Sequence, residues 1–275
     1  MKIKILIPTF LIIFTFFSCD VVSSDLEKKG ENPLDPQSPN YSPPKVSIVE
    51  GPSKGETIKS DQTKIKWEGN QGYLNEYKYR IDTEEWSGWV DKNQIYYTYL
   101  NERLHTFEVK TRYLDQPEYI ETLSINFKVD AIQGPSLWIR DKKKNVQQNF
   151  SFDIQIIGEE VDDLAMVSIE LNFHPDYLEI VECSPTAQSP LLQNHEIIHT
   201  DKWDNEQGYL KAYLSIKSEQ KSALKGSGAL FNVKFESINS GNTTIAFGDS
   251  CEFRNYNDEQ IMINETNKGI IEIEQ

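Results

Sequence analysis

The last third of the chain alternates apolar and polar residues, and this pattern constrains the fold more than any other feature. The alternation runs through AMVSIELNFHPDYLEI from Ala165 to Ile180 and GSGALFNVKF from Gly226 to Phe235, and a further apolar stretch, KGIIEI, spans Lys268 to Ile273. A period of two is typical of a β-strand with one face on a core and one face in water. Turn residues end each stretch, so this region is predicted to form β-sheets.

These stretches carry a family resemblance through the order of their motifs. An apolar strand ends in the turn His174-Pro175-Asp176-Tyr177-Leu178, a Gly-x-Gly-x-Leu strand follows from Gly226, and a Gly-Ile strand closes the chain. This order resembles the cohesin family over about residues 136–275, with His174 where an Asp usually precedes the Pro. The resemblance implies a nine-stranded jelly-roll β-sandwich. It also implies a non-catalytic module that binds a dockerin, a small calcium-loaded protein partner.

The preceding region, residues 45–131, is predicted to form a domain of its own. It contains short alternating stretches separated by turn signals, at Val46 to Val49, Thr63 to Trp67, Glu76 to Ile81, Gln94 to Leu100, His105 to Tyr113 and Glu121 to Val129. Such spacing indicates an immunoglobulin-like β-sandwich. Tyr79-Arg80-Ile81-Asp82, Trp86-Ser87-Gly88-Trp89 and the stretch from Leu104 to Val109 resemble bacterial fibronectin type III modules. The predicted fold class is therefore all-β, with two sandwiches in series.

Three tyrosines close together in this first domain indicate an outward-facing ring. Tyr96, Tyr97 and Tyr99 lie on one predicted strand, so at least one of them must point to solvent. Packing at a strand edge or a domain contact is one interpretation. Binding of a glycan or a protein is the other.

The N-terminus is predicted to carry a lipoprotein signal peptide, residues 1–18. Lys2 and Lys4 precede an apolar run from Ile5 to Phe17, and Ser18 then precedes Cys19. The run is shorter than the roughly 20 residues that span a bilayer. Cys19 is expected to be acylated and to anchor the chain in a lipid bilayer. The expected location is therefore the bacterial cell envelope, outside the cytoplasm, with inner or outer membrane left open.

Residues 19–44 are predicted to be a lipidated, flexible tether. They include Pro33, Pro36, Pro39, Pro43 and Pro44 among Ser, Asp, Glu and Lys, with few large apolar residues. Such a composition cannot bury enough apolar surface to offset the entropy of ordering. Proline keeps part of the segment extended, so it would hold the folded domains away from the membrane.

Composition excludes several classes of partner. The full chain has a formal charge of −15, and removal of the signal peptide takes away two lysines and no acidic residue. Nucleic acid and anionic lipid headgroups are therefore not expected as partners. No second apolar run approaches membrane-spanning length.

Cys183 and Cys251 remain once Cys19 is assigned to the anchor. Each is predicted to lie at the end of a strand, and an extracytoplasmic compartment favours disulfides. A Cys183–Cys251 disulfide and two buried free thiols are both compatible with the sequence.

Catalytic and metal-binding motifs carry little weight in this chain. His195-Glu196-Ile197-Ile198-His199 matches the zinc motif H-E-x-x-H, but that chemistry needs a helix, and Pro190 and a strand from Tyr209 to Lys217 flank a segment without a helical pattern. The acidic and amide residues near Asp204 and Asn257 lack calcium-loop spacing. No catalytic residue, cofactor or metal site is therefore predicted.

Strand parity predicts which side chains face a partner. Ala165, Val167, Ile169, Leu171 and Phe173 share one parity and should fill the core, as should Leu210, Ala212, Leu214 and Ile216. The predicted partner-binding residues have the opposite parity on these strands and on the strand ending at Phe235: Met166, Ser168, Glu170, Asn172, Tyr209, Tyr213 and Asn232. Met166 and Ser168 stand where cohesins often have Asn and Asp.

The sequence therefore predicts a non-catalytic, envelope-anchored binding protein. Its first expected partner is a dockerin-like protein module, in a setting of polysaccharide breakdown. The second is a polysaccharide, because cohesins share their architecture with several carbohydrate-binding modules. A purely structural spacer is a third interpretation. Exposed aromatic rings in a row would favour sugar, whereas a mixed Met, Tyr and polar face favours protein.

Overall fold

The computed structural model describes residues 33–217 and 223–275 of the chain and confirms the all-β prediction. The described residues contain strands and turns, and no helix among them is long and apolar enough to cross a membrane. Cys19 and the predicted signal peptide lie outside the described residues.

Seven strands form the first sandwich. The alternation of apolar and polar residues favours these strands, because it lets one face be buried. In β6, every second side chain is buried along nearly the whole strand. One sheet has the order β1-β3-β5 and the other β2-β7-β6-β4. The strands are β1 (Val46–Glu50), β2 (Thr57–Ile58), β3 (Thr63–Gly69), β4 (Asn75–Ile81), β5 (Gln94–Tyr97), β6 (Leu104–Tyr113) and β7 (Gln116–Val129).

The core of the first sandwich is built around one tryptophan. Trp67 is fully buried and packs its ring against Tyr77, Tyr79 and Phe107, with ring centroids 5.1 to 6.0 Å apart. Aliphatic side chains from both sheets complete this core, among them Ile65. The two-sheet arrangement is observed, and the assignment of this domain to the fibronectin type III family stays a prediction.

In residues 136–217 and 223–275, thirteen strands form the second sandwich. One sheet has the order β12-β15-β10-β8-β19; the other has the order β13-β14-β11-β16-β20-β9, and β17 pairs with both β11 and β18. The strands are β8 (Ser136–Ile139), β9 (Lys143–Gln147), β10 (Ser151–Leu164), β11 (Met166–Asn172), β12 (Leu178–Pro185), β13 (Glu196–Asp204), β14 (Tyr209–Lys217), β15 (Leu224–Ser237), β16 (Gly241–Phe247), β17 (Glu252–Arg254), β18 (Gln260–Ile261), β19 (Thr266–Asn267) and β20 (Gly269–Glu274).

The core of the second sandwich lies between these two sheets. It contains the predicted inward residues of β11 and β14, all at most 4% exposed, together with Phe231, Val233 and Phe235 of β15. Gly208 precedes β14 in the left-handed region, at φ 71°, and a Cβ there would lie 2.1 Å from the carbonyl oxygen of Phe173. Glycine is required at this turn because the two backbones approach so closely.

The last residues of the predicted tether contact the first domain, and the flexible tether itself stays a prediction. The backbone N–H of Ser42 donates to the carbonyl of Pro33, and the Tyr41 ring meets the Tyr119 ring edge-on at 6.0 Å. Tyr113 Oη donates to the Ser42 carbonyl at 2.9 Å. The aromatic side chains offset the low apolar content of this segment, because they dock it on the first domain.

Candidate functional site

The outer face of the second domain is the strongest candidate for a binding surface. We use "outer face" for the solvent side of the four neighbouring strands β13, β14, β11 and β17. Pairing places Met166 opposite Ser215, Ser168 opposite Tyr213, Glu170 opposite Lys211 and Asn172 opposite Tyr209. All of these side chains point away from the core, as strand parity predicts, because the residues between them are buried.

β13 and β17 form the two sides of the outer face, next to β14 and β11. On β13, Ile198 pairs with Ser215 and Thr200 pairs with Tyr213. On β17, Arg254 pairs with Met166 and Glu252 pairs with Ser168. Two cross-strand rows therefore run through the centre of the face: Ile198, Ser215, Met166 and Arg254 in one, and Thr200, Tyr213, Ser168 and Glu252 in the other.

Apolar side chains occupy the centre of the face. Tyr213 is 49% exposed and Ile198 is 56% exposed, and Met166 lies between them and β17, half-buried. They line a shallow depression of about 470 Å³ together with Ser215, Ser250, His199 and Thr200. A cluster of exposed large apolar residues at the centre of a sheet is typical of an interaction surface.

Charged groups at the border of the depression are already paired with each other. Arg254 donates to both carboxylate oxygens of Glu252, at 2.9 and 3.1 Å, and this contact lowers the pKa of the Glu252 carboxyl. Arg254 also donates to the Asp258 carbonyl at 2.8 Å. Glu170 accepts a hydrogen bond from Ser250 and forms an ion pair with Lys211 at 3.7 Å. Arg254 is shared by the carboxylates of Glu252 and Asp258, so the border is polar and carries one net negative charge, whereas the centre remains apolar.

Cys251 completes the backbone hydrogen bonding at one side of the face. β11 has β16 as its neighbour at Asn172 and β17 as its neighbour at Ser168, so the strand lacks a regular partner between them. There the Glu170 N–H donates to Cys251 Sγ at 3.4 Å, and the Glu170 carbonyl accepts from the Gly248 N–H at 2.9 Å. Burial raises the pKa of the Cys251 thiol. The thiol therefore has a structural role beneath the face.

The structure has the two free thiols, not the disulfide. Cys183 lies within β12 and pairs with Val233 in one sheet, whereas Cys251 adjoins β11 in the opposite sheet. Stacked sheets are about 10 Å apart, and a disulfide needs Cα atoms within about 7 Å. Burial raises the pKa of the Cys183 thiol to about 12.

Asn232 does not belong to the outer face, which corrects one predicted site residue. It lies on β15, in the sheet β12-β15-β10-β8-β19, and its side-chain amide donates to Asp153 of β10 at 2.9 Å. Strand parity correctly turns Asn232 outward, but on the other side of the sandwich. Tyr209 is also less exposed than predicted, since it is half-buried beside Asn172 and Asp204.

Sequence reasoning missed Ile198, Thr200, Glu252 and Arg254 on this face. Ile198 lies within the H-E-x-x-H segment, which was interpreted only as a possible zinc motif. The structure places Glu196–Asp204 in a strand, β13, with His195 in the bend before it, so the two histidines do not lie one helical turn apart as the zinc motif requires. Among residues 33–217 and 223–275, no three His, Cys, Asp or Glu side chains are arranged to hold a metal ion.

Comparison with known proteins gives no match to a family model and none to a curated protein. Among solved structures, the chain is similar to a non-cellulosomal cohesin from the hyperthermophilic archaeon Archaeoglobus fulgidus, with 15% identity, 51% of this chain and 91% of that chain covered, and a TM-score of 0.41. It is also similar to a type II cohesin domain from the cellulosome of Acetivibrio cellulolyticus, with 16% identity, 50% and 94% coverage, and a TM-score of 0.43. A type I cohesin–dockerin complex from Clostridium thermocellum gives 14% identity, 52% and 96% coverage, and a TM-score of 0.42.

Proposed function

We propose that this chain is a non-catalytic adaptor that holds a protein partner on the outer face of its second domain. The observation that carries the proposal is the exposed apolar centre formed by Met166, Ile198 and Tyr213, surrounded by charges that are already paired. Interfaces between proteins have this anatomy, with an apolar, aromatic or Met-containing centre and a polar border. By the sequence resemblance, the partner is a dockerin-like module.

The order of strands supports access to this face. β13 and β14 lie at one end of their sheet, and β9, whose residues adjoin the first domain, lies at the other. β14 and β9 are four strand steps apart, which corresponds to about 19 Å at the usual spacing between strands. The first domain therefore leaves the outer face open to a partner.

Glycan binding is the second candidate for this face, and the geometry favours it less. A flat sugar-binding surface presents aromatic rings in a row on which sugar rings stack. Here Tyr209 and Tyr213 lie on one strand with Lys211 between them, and Tyr209 is half-buried. One well-exposed ring among mixed side chains fits a protein partner better.

The anchor is the other part of the proposal. Cys19, by the lipoprotein signal before it, attaches the chain to a membrane of the bacterial envelope, and the tether and the first domain hold the outer face away from the bilayer. The Cys19→Ala variant should be absent from the membrane fraction that detergent extracts. A variant that stays in that fraction with its acyl chains would contradict the anchor.

The protein-binding proposal is tested with the mature chain as bait. Bait immobilised through its N-terminus is incubated with the secreted and envelope proteins of the source bacterium. The wild-type chain should retain a specific partner, and Tyr213→Ala and Met166→Ala should each weaken its binding by at least tenfold, since central side chains carry about 2 kcal/mol or more.

The matched control is Asn232→Ala, which removes an outward side chain from the opposite sheet. It should bind as the wild type does. Unchanged melting temperatures of the three variants show that lost binding is not lost folding, since exposed side chains contribute little to stability. Equal binding by all variants would place the site elsewhere.

A further inference from the structure

A polar cleft separates the two domains at a place that the outer face does not include. Its volume is about 530 Å³. The first domain contributes the turn after β4, the end of β5 and the loop into β6, and the second domain contributes the turn from β8 into β9. Ligand sites occur preferentially at such domain junctions.

Buried ion pairs join the two domains beside the cleft. Lys142, with a side chain 6% exposed, forms ion pairs with Asp61 at 3.2 Å and with Glu102 at 3.3 Å. The other carboxylate oxygen of Glu102 accepts the backbone N–H groups of Ala131 and Ile132 in the interdomain linker, at 2.6 and 3.1 Å. Breaking a buried ion pair is costly, so the two domains resist separation at this point.

A second set of hydrogen bonds joins the two domains at the cleft. The Asn101 side-chain amide donates to the Asp141 carboxylate at 3.0 Å, and its oxygen accepts the Asp141 backbone N–H at 2.9 Å. The amide and the aspartate belong to different domains. The cleft is thus formed before any ligand arrives, which reduces the entropy cost of binding.

Three of the seven non-glycine residues with positive φ in the described part of the chain line this cleft. Asp82, Tyr99 and Asp141 all line it, and all have positive φ angles, of 51°, 60° and 57°. This conformation costs energy for residues other than glycine, most of all for a bulky residue such as Tyr99. Strain of this kind is characteristic of sites at which the fold holds a side chain in a required position.

Several polar groups in the cleft have hydrogen-bonding capacity to spare. The hydroxyls of Tyr97 and Tyr99 and the carboxyl of Glu84 have no hydrogen bond or ion pair with any residue in 33–217 or 223–275. Tyr99 is 39% exposed. Burial raises the pKa of Glu84, with a further contribution from the nearby Asp82.

The charges of the lining limit the class of ligand. Asp82, Glu84 and Asp141 are balanced in number by Arg103, Lys143 and Lys144. Arg103 is paired with Asp82 at 2.7 Å, and Lys143 is paired with Glu272 at 2.9 Å. With Glu272 counted, the cleft carries one excess negative charge, which is too little to select a strongly ionic ligand, and its spare groups both donate and accept hydrogen bonds.

We propose that the interdomain cleft is a binding site for a neutral oligosaccharide. Sugar hydroxyls can donate to the Glu84 carboxylate and exchange hydrogen bonds with the hydroxyls of Tyr97 and Tyr99. The exposed face of the Tyr99 ring packs against the apolar face of a sugar ring. The chain would then hold a glycan in the cleft and a protein on the outer face, at the same time.

Titration calorimetry of the mature chain with cellohexaose, xylohexaose and mannohexaose tests this site. At least one of these neutral sugars should bind with a Kd of about 1 mM or tighter. Tyr99→Asn removes the ring, and asparagine tolerates the positive φ, so the variant should fold. Tyr99→Asn and Glu84→Gln should each weaken binding by about tenfold or more.

Tyr96→Ala is the matched control, since Tyr96 is 67% exposed on the same strand as Tyr97 but does not line the cleft. It should bind within about twofold of the wild type, as an exposed side chain outside the site would. Tyr213→Ala should also leave sugar affinity unchanged, so failure of the protein-binding proposal and failure of this one are separate results. No binding of any of the three sugars at about 5 mM, or equal losses in Tyr96→Ala and Tyr99→Asn, would overturn the proposal.

Discussion

Glu159 places a carboxyl group in an apolar part of the second domain. Its residue is 8% exposed and lies beside Trp138 and Ile157, which belong to a small buried cluster next to the linker. Trp138 Nε1 donates to one carboxyl oxygen at 2.8 Å and Ser227 Oγ donates to the other at 2.5 Å. Burial raises the pKa of Glu159, and this outweighs the opposite effect of the two hydrogen bonds.

Because the pKa is raised in the folded state, ionisation of the Glu159 carboxyl destabilises the folded protein. The folded state favours the protonated acid, so stability is lost as the pH rises through and above the ordinary range of a glutamic acid. Glu159→Gln should therefore raise the melting temperature by about 2 °C near neutral pH and have little effect in acid, where the wild-type group is protonated. Glu236→Gln, an exposed position on β15, should change little at either pH. A gain that is largest in acid would contradict this account.

Residue parity was the most successful part of the sequence reasoning, and its limit is physical. The alternation around Ile169 and Ala212 correctly separated buried from outward side chains, because a strand with one buried face can keep only one register. Asn232 was assigned to the wrong surface since parity gives the face of a strand and not the sheet that contains the strand. Ile198 was missed because β13 is an edge strand, where both parities are largely exposed.

The Trp86-Ser87-Gly88-Trp89 segment protects an edge of the first domain. It runs beside β4, where Tyr77 and Val90 exchange backbone hydrogen bonds of 2.7 and 2.8 Å. Both tryptophan rings lie over cationic side chains of β4 and β6, with the guanidinium or ammonium group 4.1 to 4.6 Å from a ring centroid: Arg80 and Lys110 for Trp86, and Arg112 for Trp89. Covering an edge in this way blocks pairing with other chains.

Carboxylates form ion pairs with the two arginines of this stack. Arg80 is paired with Glu108 at 2.6 Å and Arg112 with Glu76 at 2.8 Å. The motif itself was visible in the sequence. The stack was not, because it depends on the register that brings Arg80 opposite Glu108 and Glu76 opposite Arg112.

Trp86→Ala should lower the free energy of unfolding by about 1–3 kcal/mol, because it removes contacts with Lys78, Arg80 and Lys110 and the partial burial of a large ring. Denaturant unfolding followed by circular dichroism measures the change. Tyr96→Ala, which removes a ring that is 67% exposed in the same domain, should cost less than about 0.5 kcal/mol. Equal costs for the two variants would mean that the stack adds nothing to stability.

The whole molecule is two sandwiches joined through a charged, buried junction. β1–β7 occupy residues 46–129 and β8–β20 occupy residues 136–274, and each group forms its own sheets and core. The two-sandwich arrangement could be predicted because alternation and turn signals recur along the chain. The junction could not, since Asp61, Glu102 and Lys142 are far apart in sequence and resemble ordinary surface charges.

The sheet order separates the outer face from the cleft. The outer face lies at the β13 end of its sheet, and the cleft lies at the β9 end, next to the first domain. A protein bound to the outer face and a sugar bound in the cleft would therefore not collide. The chain would then link the two at the membrane to which Cys19 is proposed to attach it.

Site-specific photo-crosslinking tests the central claim, that a protein binds on the outer face, most directly. A benzophenone amino acid replaces Thr200, an exposed residue of the outer face, in one mature chain and Asn232 in another, so the two probes lie on opposite sheets of the same sandwich. Irradiation in the presence of the captured partner should give a covalent adduct from position 200 and none from position 232. An adduct from position 232 alone would contradict the account.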